Sequence, residues 1–321
     1  MKRRTLIVGA AAAITLPSLG RSQTRRRPLI GYIHPRTIVP THTTLSSLRR
    51  AWEPLGHVEG ETVLLRSAED DPARIPGIVR ELEELGVKVL IAVGAETLLA
   101  ASRTTTRTPI VAIDLETDPV RSGLAASFNR PGGNVTGLFL DQPSLAAKWI
   151  DLLREAVPGL TRLALAWDPS TGTNQLDTAT SVAKSKGIDT TIVRWRELET
   201  FAASLSPLGD GRTGLIMLTA PGFQLVSRQF AADALRAGLP SIAFLAVYAR
   251  HGLMMSYGPE ADTFYGRAIH FVDRILAGTP AAVLPIESPH RFELTINLAT
   301  AKALGITLPT ALVAQADEVF E

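Results

Sequence analysis

From residue 28 onward, short β-branched apolar runs alternate with longer stretches whose apolar residues recur at helical spacing, and few folds accommodate that alternation. The runs are PLIGYI (28–33), TVLLRSAE (62–69), VKVLIAVG (87–94), PIVAID (109–114), RLALAWDP (162–169), DTTIVRWR (189–196), TGLIMLT (213–219) and PSIAFLA (240–246). Between them, 43–55, 73–85, 95–103, 143–156, 173–187 and 223–237 read as amphipathic helices. In the second of these, Ile78, Leu82 and Leu85 share a face. Glycines at 86, 159, 187 and 238 punctuate helix ends ahead of the next strand. Strand–helix alternation of this kind predicts an α/β architecture with parallel sheets, and two series of about four strands predict two such domains. A single core rarely serves about 300 residues, which also favours two domains. The break falls within 120–142. After 250 the alternation lapses into GLMMSYGP (252–259), a helix over about 260–277, an extended LPIESPHRFELTINLA and a helix near Thr300–Leu304. A tail outside both series implies that the chain crosses between domains more than once.

The first 22 residues have the layout of an export signal. A basic start (Lys2, Arg3, Arg4) precedes an apolar run of 11 residues, Leu6 to Leu16, and then small residues. The run is shorter than the roughly 18 residues a membrane span needs. Cleavage after Gly20 or Ser22 fits, and the Arg3–Arg4 pair leaves both the general and the twin-arginine export routes open. The chain has no cysteine, so no lipid can be attached to an N-terminal cysteine and no disulfide is expected. A soluble periplasmic or secreted protein is therefore expected. Loss of the signal's four basic residues takes the formal charge from +2 to −2, which offers no concentrated basic face for nucleic acid.

Chemistry-bearing motifs are sparse. The six histidines (34, 42, 57, 251, 270, 290) lack metal-ligand spacing, and neither a metal nor a cofactor is expected. There is no GxSxG elbow, no GxxxxGK[ST] loop and no GxGxxG after a strand. In open parallel sheets, ligands bind beyond the carboxyl ends of the strands. The loops there are HPRT (34–37), GAET (94–97), LETDP (115–119), WDPSTGTN (167–174) and TAPGF (219–223). Within them, His34 and Arg36 follow the first strand, and Arg36 is the natural partner for a ligand carboxylate. Asp114, Asp118 and Asp168 stand at strand ends, where turn capping competes with any ligand role. Trp167, Phe223, Phe244 and Tyr248 serve either core packing or an aromatic-lined pocket.

Three stretches then resemble one known family: DPVRSGLAASFNRPGGNVTGL, KWIDLLREAVPGLTRLALAWDP and the long segment from GLMMSYGPEADTFYGRAIHF to INLATAKALGITLP. They are similar to bacterial ABC-transporter substrate-binding proteins, a family that includes tryptophan- and tyrosine-type receptors. The resemblance spans about 28–320. It implies the type I periplasmic-binding-protein fold, with two doubly wound lobes joined by three crossovers. One lobe is expected from 28–136 plus about 257–290, the other from 137–256 plus about 291–321. It further implies a small organic ligand captured by hinge closure, an ABC permease as partner and a monomer without enzymatic activity. A receptor feeding a membrane sensor and a cofactor-free two-domain α/β enzyme are the alternatives.

Carried onto matching positions, the resemblance gives His34, Arg36, Gly94, Ala95, Glu96, Thr97, Asp118, Asp168, Asn174, Ala220, Phe223 and Tyr248 as ligand contacts. Two loops depart from the family pattern. The first carries His-Pro-Arg in place of small residues, and Ala220 stands where an Asp is common; the second change puts an amino-acid ligand in doubt. Hinge positions are expected at Gly132, Gly133, Thr136, Gly137, Ser256 and Tyr257, with Val135–Leu140 as the first crossover. On this reading Gly133→Val should disturb closure or folding, and the Asn134-Val135-Thr136 sequon is coincidental.

Overall fold

The computed structural model describes residues 27–321 except 141, 196 and 197. The expected signal at 1–22 lies outside the described residues. In chain order the first lobe forms β1 (Ile30–His34), α1 (Thr43–Trp52), β2 (Val63–Ser67), α2 (Ile75–Glu84), β3 (Val89–Val93), α3 (Ala95–Thr104), β4 (Ile110–Asp114) and β5 (Val135–Phe139). The second continues with α4 (Gln142–Ala156), β6 (Arg162–Trp167), α5 (Asn174–Ser185), β7 (Asp189–Arg194), α6 (Leu198–Leu205), β8 (Thr213–Met217), α7 (Ser227–Arg236), β9 (Ser241–Ala243), α8 (Ala246–Arg250) and β10 (Met255–Pro259). The tail adds α9 (Ala261–Leu276), β11 (Phe292–Asn297), α10 (Leu298–Ala303), α11 (Thr310–Ala314) and β12 (Glu318–Phe320).

Two sheets result, ordered β2-β1-β3-β4-β5 and β12-β11-β10-β9-β8-β6-β7. Every residue of β1, β3, β4, β5 and β8 is buried. Burial on both faces is what helices on either side of a parallel sheet impose, and it explains why these strands read as continuous apolar runs. The helices bury a single stripe. Ile75, Ile78, Val79 and Leu82 of α2 face the first sheet, and Gly86 at φ +85 then turns the chain toward β3.

Every described strand pair is parallel except β10 with β11. The exception follows from the path of the chain. After β10 it returns to the first lobe, where α9 packs along α1 and against β4 and β5. It then re-enters the second sheet from the opposite end. Before doing so, the segment at 286–287 fastens to the first lobe. Ile286 N–H donates to Phe128 O (2.8 Å), Glu287 N–H donates to Gly137 O (3.0 Å), and Phe139 N–H donates to Glu287 O (3.0 Å).

Two expected crossovers fall elsewhere. Val135–Leu140 is not a free connection, because β5 pairs with β4 over its whole length, from Ile110↔Val135 to Asp114↔Phe139. The apolar run VTGLF is fully buried and belongs in a sheet; no helix of its own lobe follows it, which is why it reads as a linker. Ser256 and Tyr257 likewise stand inside β10, opposite Thr295 and Leu294 of β11. The chain changes sheets after Leu140, after Pro259 and across 288–291.

The glycine expectation also needs revision. A Cβ on Gly133 would meet nothing within 4 Å, whereas one on Gly137 (φ +134) would lie 2.2 Å from Ala112 O. Gly137 is thus required for β5 to lie against β4, and Gly132 (φ +79) forms the turn before it. Thr136 is buried and donates to Leu284 O (2.8 Å). The Asn134 amide is also spoken for, donating to Thr105 O (3.0 Å) and Thr108 O (2.9 Å).

Candidate functional site: the cleft between the lobes

The carboxyl ends of both sheets face each other across a cavity lined from both lobes. One wall is built from the ends of β3 and β4 (Val93, Gly94, Ile113, Leu115, Glu116), with His42 and Thr44 at the start of α1 and Tyr265 on α9. The other comes from the ends of β8 and β9 and the helix after them: Leu218 to Pro221, Gln224, Phe244, Leu245 and Tyr248. Aromatic lining with a few polar groups is the usual composition of a small-molecule site.

The carboxyl group lining the cavity is that of Glu116, only 2% exposed. Its Oε2 accepts from Ala95 N–H, the first residue of α3, at 3.3 Å. Two residues back, Asp114 is wholly buried at the end of β4. Its Oδ1 accepts from Glu116 N–H (2.9 Å) and Thr117 N–H (3.0 Å), while Oδ2 has no hydrogen-bond partner. Burial drives the Glu116 carboxyl well above the usual carboxylate range, and the neighbouring Asp114 charge adds to the rise. Burial raises Asp114 as well, against the hydrogen bonds that favour its anion.

A second titratable cluster stands beside it. His34 and His42 make an edge-on contact with ring centroids 5.1 Å apart. Burial lowers His34 to about 4 and His42 to about 3, and Nε2 of the first and Nδ1 of the second lack partners. Both rings are therefore neutral at physiological pH.

Direct contacts tie the walls together. Thr43 N–H donates to Gln224 Oε1 (2.7 Å), Asn174 Nδ2 to Glu116 O (3.0 Å) and Thr219 Oγ1 to Leu115 O (3.4 Å), while His42 Nε2 lies 3.4 Å from Pro221 O. Gly94 adopts φ +78, and a Cβ there would sit 2.9 Å from Pro221 Cγ of the opposite wall. Arg36 spans the rim. It pairs with Asp70 of its own lobe (2.9 Å) and with Asp168 (3.3 Å) and Ser170 Oγ (2.5 Å) of the other. Outside this rim, an open groove shares His42 and Gln224 with the cavity, so those two side chains stand between cavity and solvent.

Of the twelve residues expected to contact ligand, the structure puts Gly94, Ala220 and Tyr248 in the cavity wall. Ala95 and Asn174 reach it through Glu116. Glu96 joins Arg36 in a small side pocket, where burial raises its carboxyl. Arg36 and Asp168 face each other across the rim, His34 packs behind His42, and Thr97 is buried. Asp118 caps its own turn, accepting from Val120 and Arg121 N–H (3.0 Å each). Phe223 belongs to the second lobe's core, 5.5 Å from the Trp195 ring and 5.6 Å from that of Phe230. Glu116, His42, Thr44, Gln224 and Tyr265 were not singled out as site residues. Glu116 had a signal: it lies in the LETDP loop at the carboxyl end of β4, two residues after Asp114.

A sequence model of the family described as ABC transporter substrate binding protein matches residues 43–320. The chain belongs to that family. Among its relatives is a tyrosine-binding protein of Clostridioides difficile (strain R20291), 23% identical over 268 residues that span 80% of this chain and 75% of that one. The fold is shared with an ABC domain in complex with L-Trp from Streptococcus pneumonia, at a TM-score of 0.81 and 15% identity over 92% of this chain and 100% of that one. A ligand-free, open structure of a substrate-binding protein with adhesive properties from Clostridium difficile has a TM-score of 0.64 and 19% identity, covering 91% and 99%. The type I periplasmic-binding-protein architecture expected from the resemblance is the one observed.

Proposed function

We propose that this family member is an exported receptor of an ABC importer that encloses a small organic ligand between its lobes by hinge closure and presents the closed form to a membrane permease. The observation that carries the proposal is the cavity itself, formed at the strand ends of both sheets and crossed by hydrogen bonds from each wall to the other. A site built this way is complete only when the lobes approach, so a ligand touching both walls shifts the population toward closure. The higher structural similarity to the L-Trp complex than to the open relative supports assigning the present arrangement to the closed form.

Relatives that take tyrosine or tryptophan point to an amino-bearing aromatic ligand. The absence of a carboxylate at Ala220 does not oppose this, because Glu116 supplies one to the same cavity from the opposite lobe. Arg36 is assigned to holding the lobes together, since its guanidinium is engaged by Asp70, Asp168 and Ser170. The protein acts as a monomer in the periplasm after removal of its signal, and it turns over no substrate.

The test is a thermal-shift screen of the mature protein against amino acids, aromatic amines, aromatic acids and short carboxylates. A true ligand stabilises the fold by RT ln(1 + [L]/Kd), about 2.7 kcal/mol at a hundredfold excess over Kd. The receptor assignment fails if no compound shifts the transition, or if a bound compound is chemically altered on incubation.

A further inference from the structure

We propose that the cavity selects its ligand as a cation, an aromatic or arylalkyl amine whose ammonium group is received by Glu116 with Asp114 behind it, and that it provides no charged partner for a ligand carboxylate. The inference rests on the receptor assignment above and adds the ligand's charge.

Three observations carry it. First, Glu116 is a cavity-lining carboxyl at 2% exposure, and the wholly buried Asp114 carboxyl lies next to it with no cation beside the pair. A buried carboxyl without a counter-ion is driven toward its neutral form, and an arriving cation favours its ionised form. Second, the rest of the wall suits the organic part of an arylalkylamine. Phe244, Tyr248 and Tyr265 supply aromatic surface, whose faces attract cations as well as rings. Third, the groups that would greet a carboxylate are already occupied. Among the described residues no Lys or Arg lines the cavity, and the guanidinium at its rim is held by Asp70 and Asp168. Ala95 N–H, the helix-terminal donor that an anion would seek, points at Glu116.

Glu116 interacts with Asp114 from its own strand end, Tyr248 from α8 and Tyr265 from α9, and His42 at the start of α1 lines the same cavity. Burial keeps His42 neutral and both tyrosines protonated, so these neighbours neither neutralise Glu116 nor compete for the cation. Burial and the Asp114 charge raise the Glu116 carboxyl, which favours its protonated form while no cation is bound. When an ammonium binds, the carboxyl releases that proton to solvent and the resulting carboxylate accepts the ligand's N–H donors. Up to one proton therefore leaves per ligand bound, and affinity falls as pH is lowered.

The experiment is calorimetry on the mature protein with three matched series: tryptamine, tyramine and phenethylamine; tryptophan, tyrosine and phenylalanine; indole-3-acetate and phenylacetate. Each is run in two buffers of different ionisation enthalpy. The expected order is amine, then amino acid at least about tenfold weaker, then acid without measurable binding, with proton release for the amines. Glu116→Gln should abolish both the amine preference and the proton release, and Glu116→Asp should recover part of each; circular dichroism verifies that the variants fold. If Glu116→Gln does not fold, the three series and the proton count on the unmodified protein decide the matter. Amino acids or acids binding as tightly as the matching amines would overturn the proposal, as would amine binding without proton release or a Glu116→Gln variant that keeps the preference. A ligand found in the wider screen but bound without amine preference overturns this inference and leaves the receptor assignment standing. Silence across that whole screen removes the receptor assignment too.

Discussion

The two walls of the cleft are made from the same kind of element, the carboxyl end of a parallel sheet, yet they carry different chemistry. The first holds the titratable groups: His34, His42, Asp114 and Glu116, with Arg36 at the rim. The second contributes Thr219, Ala220, Pro221, Phe244, Leu245 and Tyr248, which offer apolar surface, backbone carbonyls and hydroxyls. One lobe therefore sets the electrostatics of the cavity and the other its shape. A ligand held by the first wall alone would be oriented but solvated, and closure of the second excludes the water that weakens charged contacts.

That asymmetry predicts a one-sided response to acid, and this is the largest effect expected. The folded values of His34 and His42, about 4 and about 3, lie below the unfolded 6.5. Between pH 6.5 and 4 the unfolded chain thus binds more protons, and stability falls on acidification by up to about 1.4 kcal/mol per pH unit for each histidine. Asp114 and Glu116 are raised and act oppositely: the folded state binds the extra protons, so they favour folding as pH drops toward the ordinary carboxylate range. Urea denaturation across this window should show a net slope that flattens in His42→Gln. An unchanged slope would mean that the histidine ring is hydrated and the first wall is not its source.

The contact point between the walls gives the next effect. Gly94→Val places a side chain at φ +78 and against Pro221, so closure should be blocked and ligand affinity reduced at least about a hundredfold, roughly 2.7 kcal/mol. Calorimetry measures the loss, and small-angle scattering should show that ligand no longer compacts the protein. Arg36→Ala removes the rim tie and should cost about 1.5–3 kcal/mol of binding energy, the range for hydrogen bonds to charged groups. Asp168→Asn should act through the same tie, so the double variant should lose less than the sum of the two. If Arg36 contacted ligand directly, its effect would instead depend on whether the ligand carries a carboxylate. The smallest effect is expected at Gly133→Val, within about 0.5 kcal/mol of the parent by thermal denaturation, since a side chain there meets open space.

The architecture was legible in the sequence because parallel-sheet strands are buried on both faces and stand out as apolar runs between amphipathic helices. The strand-end loops were legible for the same reason. The direction of each side chain within those loops was not. Asp118 precedes Pro119 in a turn and folds back on its own backbone, whereas Glu116, in the bend after β4, faces the cavity. Phe223 sits in a cleft-facing loop by position but is drawn into the Trp195–Phe230 cluster by aromatic packing. Arg36 faces the cleft, but its partners at positions 70, 168 and 170 come from segments far apart in sequence. The short helices α8 and α11 have five residues each, too few to show periodicity. Glycine content alone does not separate mobility from packing: Gly137 serves close packing of β5 on β4.

The hydrogen bond from Thr43 to Gln224, at the doorway shared by cavity and outer groove, has a kinetic consequence. It joins protein to protein and favours the shut state whether or not the cavity is filled. Capture requires an open molecule, and the apparent association rate scales with the open fraction. Departure likewise waits on reopening. Loosening this doorway should quicken exit above all, shortening how long a captured ligand stays.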